Sequence, residues 1–110
     1  MRHTKARIGI SDGTGVRVAR FHGTLDVFSS SAVGSRIFAG MPADAHEVVI
    51  DLDDVDRMDS AGVSALVRLR ERARARHVDL RCHLGRSRVN PTIRQVLARV
   101  MPVDDVQPTA

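Results

Sequence analysis

The most constraining feature of this chain is a short β-branched run, Val48-Val49-Ile50, bounded by Glu47 and Asp51. Three consecutive β-branched apolar residues between acids read as a buried central strand, over Glu47 to Leu52. The acidic stretch Asp51-Leu52-Asp53-Asp54-Val55-Asp56 follows and reads as a short loop, leading into Arg57-Met58-Asp59-Ser60-Ala61-Gly62. From Ser60 to about Arg76 the composition is helical. Val63, Leu66, Val67 and Leu69 supply an apolar face, and Ala65, Ala73 and Ala75 are strong helix formers. The arginines at its end, Arg68 to Arg76, complement the negative end of the helix dipole.

The same alternation of strand and helix recurs on both sides. Val78, Leu80, Cys82 and Leu84 alternate with Asp79, Arg81 and His83, the period of a strand. A last helix runs from about Asn90 to Val100, with Asn90 as N-cap and Pro91 at the first helical position. Ile93, Val96, Leu97 and Val100 form its docking stripe, and Pro102 stops it. At the start, Arg7–Ser11 and Val16–His22 flank Asp12-Gly13-Thr14-Gly15 and read as a hairpin; no Gly-Lys-Ser/Thr makes this a phosphate loop. Ser29, Ser30 and Ser31 offer N-caps for a helix carrying Val33, Ile37 and Phe38, ended by Gly40 and Pro42. The order β-β-α-β-α-β-α describes an α/β layer whose sheet is mixed, because the opening hairpin adds an antiparallel pair.

With 110 residues there is room for one core. The domain is expected to fill 1–110, with its core at about 7–106 and a loose tail at 107–110. The single cysteine, Cys82, forms no internal disulfide and falls on the apolar side of its strand, where a packed thiol is expected. No apolar run reaches the ~18 residues of a membrane span, and the basic N-terminus lacks an apolar signal segment, so a cytoplasmic protein is the expectation. The net charge is +4, and 16 of the 17 cations are arginine, the one lysine being Lys5. That charge permits contact with acidic partners. The acidic Asp51–Asp59 stretch and the scarcity of aromatics (three Phe, no Trp, no Tyr) argue against direct nucleic-acid binding. None of His3, His22, His46, His77 and His83 pairs with another at metal-ligand spacing on one element, and Ser60 lacks a Gly-x-Ser-x-Gly elbow. No enzyme activity, metal or cofactor is expected.

A hydrophobic strand followed by Met58-Asp59-Ser60-Ala61-Gly62 and an apolar helix resembles the signature of the STAS domain in anti-sigma factor antagonists. Gly23-Thr24-Leu25-Asp26-Val27 resembles that family's Gly-Glu-Leu-Asp loop, and the resemblance covers about Arg7 to Val106. It implies a single STAS-like domain, a mixed four- to five-stranded sheet packed with three to four helices. It implies a partner switch: binding to an anti-sigma factor with serine kinase activity, release when Ser60 is phosphorylated, and resetting by a phosphatase. Asp26, Asp59, Ser60, Ala61 and Gly62 are the partner-binding residues implied, with Ser60 the phosphorylation site. ATP and Mg²⁺ would belong to the kinase partner.

The sequence departs from the family in three places. Thr24 stands where an acid is common, Val100-Met101-Pro102-Val103 replaces the frequent Thr-Gly-Leu type of ending, and the Arg-rich helix after Ser60 is more basic than the family pattern. Some STAS domains are adaptors that are never phosphorylated, serving transport or stress-signalling complexes, and that alternative stays open here. So do the oligomeric state, the partner sigma factor and the triggering signal. Physically, Ser60 is expected at a helix N-terminus, where its hydroxyl can cap free N–H groups and a phosphate would be tolerated.

Overall fold

The computed structural model describes residues 7–25 and 30–104. Among these residues, five strands and three helices follow one another as β1 (Arg7–Asp12), β2 (Val16–Leu25), α1 (Ser30–Phe38), β3 (Glu47–Met58), α2 (Ser60–Ala75), β4 (Asp79–His83), α3 (Pro91–Val100) and β5 (Val103–Asp104). The strands lie side by side in chain order. β1 and β2 are antiparallel, and every later neighbour is parallel. Crossovers of this kind are right-handed, and taken in one direction they put all three helices on one face. The α/β domain with a mixed sheet and three helices is therefore as expected, with the two-residue β5 as an added edge. No helix among the described residues is long and apolar enough to cross a membrane.

Strand alternation builds the core. Ala19 and Phe21 of β2, Val48, Ile50 and Leu52 of β3, and Leu80 and Cys82 of β4 are all buried under the helices. Val33, Ile37 and Phe38 of α1 meet them, as do Val63, Leu66, Leu69 and Ala73 of α2. α3 sits differently from its sequence pattern. Leu97 is fully buried and Ile93 partly, but Val96 and Val100 are exposed. The buried arc is centred on Ile93, Leu97 and Met101, spaced four apart, so the two valines fall at its edge.

Two expectations are corrected by β3. The acidic stretch after Leu52 is not a loop but the second half of a twelve-residue strand. β2 likewise does not stop at His22; it continues through Gly23, Thr24 and Leu25, and Leu25 pairs with Met58. Twice along this stretch β3 advances one residue more than β2, between Arg20 and His22 and between Gly23 and Thr24. Each extra residue is a bulge that rephases the side chains. The buried positions consequently run Leu52, Val55, Met58 in steps of three rather than two. The acids of this stretch find partners on the open face or in solvent: Asp51 Oδ2 accepts from Arg20 Nε at 3.0 Å, and Asp54 lies 3.3 Å from His22.

Several arginines are structural. Arg17 is buried; it grips Asp12 through Nε and Nη2 (2.7 and 3.0 Å) and donates to the carbonyls of Ile37, Ala39 and Gly40. It thus caps the C-terminus of α1, where a cation also meets the negative end of the dipole. Arg72 and Arg76 lie over the Phe38 ring at 5.3 and 4.9 Å, tying α2 to α1.

Candidate functional site

β2 and β3 reach the same end of the sheet together, with Leu25 beside Met58. Met58 is buried and anchors the strand end; the next residue, Asp59, has extended backbone and is the N-cap of α2. Its Oδ1 accepts the Gly62 N–H at 2.9 Å, and its carbonyl accepts the Val63 N–H at 3.1 Å. The capping role expected of Ser60 therefore belongs to Asp59. Ser60 is the first helical residue and is exposed, which leaves its hydroxyl free of the cap. Ala61 is half-buried, and Gly62 is buried in the first turn. Asp26 lies outside the described residues.

Beside this turn runs a groove of about 600 Å³, lined by Thr24, Asp56, Arg57, Met58, Asp59, Arg88 and Asn90. Asn90 caps α3 by accepting the Thr92 N–H at 2.7 Å, so two helix N-termini border the groove. The loop bearing Arg88 is pinned to the sheet: Ser87 Oγ donates to the Val55 carbonyl at 3.2 Å and accepts the Val89 N–H at 3.1 Å. Sequence reasoning did not connect Arg88 and Asn90 with the Ser60 region. Arg88 and Asn90 come from a loop thirty residues downstream, and only the bulged β3 brings them alongside.

Away from the groove, Cys82 is a packed core thiol as expected. Its Sγ lies 3.1 Å from Met101 Sδ, and burial pushes its pKa up to about 12. On the sheet face opposite the helices, Asp51, Asp53 and His83 each bring one ligand atom within 4.8 Å of the others. These come from two strands, so spacing along one element does not reveal them.

The family model described as STAS domain matches residues 8–105. No curated protein matches the chain. Among solved structures, an anti-sigma factor antagonist from Mycobacterium paratuberculosis superposes with a TM-score of 0.71 at 22% identity, over 96% of this chain and 87% of that one. The anti-sigma factor antagonist SpoIIAA in its unphosphorylated form gives 0.65 at 18% identity, over 92% of this chain and 90% of that one. Mglu gives 0.58 at 19% identity over 67% of this chain, which spans 18% of that longer chain. At such identities the likeness is one of fold.

Proposed function

This chain belongs to the STAS domain family, and from that premise we propose that it is an anti-sigma factor antagonist working by partner switching, with Ser60 as the switch. The observation that carries the reading is the exposed Ser60 at the first position of α2, relieved of capping by Asp59 and standing beside a polar groove. A kinase can reach such a hydroxyl without unfolding the helix, because no bond of the cap has to break.

In the unphosphorylated state, the turn Asp59–Gly62 and the groove edge form the contact face for an anti-sigma factor with serine kinase activity. Transfer of the phosphoryl group from the partner's ATP puts about −1.5 to −2 charge at the helix N-terminus, where the dipole and first-turn N–H groups tolerate it. The domain stays folded, but its contact face gains negative charge. The new dianion joins the carboxylates of Asp59 and Asp56 on a face shaped for a neutral hydroxyl. Leaving one buried charge unpaired at an interface costs about 2–5 kcal/mol, roughly a 30- to several-thousand-fold loss of affinity. A phosphatase restores binding.

The test is intact mass with site mapping on protein purified from its native cells under changing growth conditions. A phosphate on Ser60 that rises and falls with conditions is expected. A fully covered Ser60 peptide that is never modified would refute the switch and leave the unphosphorylated adaptor role.

A further inference from the structure

Parallel pairing of β3 with β4 sets Asp51 directly beside His83, on the face of the sheet that the helices leave uncovered. Asp53 joins them from two residues further along β3, and His83 Nε2 is 3.9 Å from Asp53 Oδ1. One nitrogen and two carboxylate oxygens converge, all within 4.8 Å of one another. The carboxylates are held from behind. Asp51 Oδ1 accepts the Asp53 N–H at 3.0 Å, and Asp53 Oδ1 accepts the Arg86 N–H.

A further observation points to a ligand. It is the imidazole itself. His83 is 2% exposed, and its Nδ1 has no hydrogen-bond partner among the described residues. Its Nε2 is the nitrogen that faces Asp53, at 3.9 Å and beyond hydrogen-bond reach; buried polar side chains are nearly always satisfied, so an imidazole this buried and without a hydrogen bond calls for an explanation. The turn bearing Gly85 closes over the cluster. Gly85 has φ +44°, and a Cβ there would collide with Asp53 Oδ1 and come within 2.7 Å of His83 Nε2. Only glycine lets the chain pass this close to the two side chains.

We propose that Asp51, Asp53 and His83 form a binding site for a divalent transition-metal cation of the zinc type. One imidazole nitrogen with two carboxylate oxygens is a ligand set that such ions accept, with a position left for water. Ligands about 2.0–2.2 Å from zinc sit roughly 3.3 Å apart, so short side-chain rotations close the remaining gap. The ion's charge is balanced by the two carboxylates. Arg20, which bonds Asp51 and is 57% exposed, is free to swing into solvent as the ion takes its place. Cys82, the neighbouring residue, points into the core and takes no part.

The test is zinc titration of the full chain, freed of metal by a chelator, followed by calorimetry and by thermal unfolding. One equivalent of zinc is expected to bind and raise the melting temperature. His83→Gln and Asp53→Asn are each expected to weaken zinc binding roughly tenfold or more. His22→Gln, which removes the surface histidine beside Asp54, is expected to leave it unchanged. Asp53 is only half-buried and its replacement is isosteric, so Asp53→Asn remains decisive if His83→Gln does not fold. Cobalt substitution adds a spectroscopic readout: a d–d spectrum without thiolate charge transfer is expected, and it should vanish in Asp53→Asn. Equal zinc affinity in the wild type and both ligand variants would overturn the proposal, as would neither heat nor thermal shift with zinc in large excess.

Discussion

Replacing Arg17 by methionine tests how the α1 end of the domain is held. Methionine keeps an unbranched apolar stem of similar length but removes the guanidinium, and with it five hydrogen bonds. The bond from Nη1 to the Ile37 carbonyl is buried. Leaving that acceptor bare costs about 1–3 kcal/mol. Ala39 and Gly40 are exposed, so their carbonyls rehydrate at a loss of about 0.5 kcal/mol each. The Asp12 side chain is 37% exposed and returns to water, adding little. The expected destabilisation is about 2–4 kcal/mol, a fall in melting temperature of roughly 8–16 °C for a domain of this size. Thermal and urea melts followed by far-UV circular dichroism measure it.

The pH dependence of the same variant is a second signature. Hydrogen bonding to Arg17 holds the Asp12 carboxyl below its ordinary 3.8, so the pair's contribution is whole above that value. It is lost as pH falls through the lowered pKa, and the gap between wild type and Arg17→Met should narrow there. A variant that melts within about 2 °C of wild type at neutral pH would refute the argument that Arg17 closes α1.

The capping assignment separates two adjacent residues. Asp59→Ala should cost about 1 kcal/mol in urea melts, whereas Ser60→Ala should stay within about 0.5 kcal/mol of wild type; the reverse order would return the cap to Ser60. Cys82 should resist alkylation in the native protein at pH 8, because burial raises its thiol pKa to about 12 and the thiolate is the reactive form. It should react promptly once the chain is unfolded in urea; rapid native-state labelling, read by intact mass, would contradict a packed core thiol.

Much of this architecture is written in local pattern. Val48-Val49-Ile50, the period-two run through Cys82 and the Asn90-Pro91 start each specify an element through nearest-neighbour effects: side-chain branching, alternation and the missing proline N–H. The Met58–Gly62 stretch likewise marks its helix start, although which of Asp59 and Ser60 caps it is decided only in the folded structure. What the chain cannot express locally is the second half of β3. Its apolar residues, Leu52, Val55 and Met58, come at intervals of three. Such spacing belongs to no regular strand and becomes one only when β2 lies alongside and absorbs two bulges.

The same dependence on long-range pairing governs the site. The groove joins Thr24, Asp56 and Arg57 to Arg88 and Asn90, and the carboxylate–imidazole cluster joins β3 to β4. Even the arginines divide this way. Arg17 looks like any surface cation until the carbonyls at the end of α1 arrive to meet it. Propensity and periodicity act between residues a few positions apart and are legible one element at a time. Juxtaposition of side chains twenty or more residues apart is decided by strand register and by the packing of helices and loops on the sheet, which exist only in the folded domain.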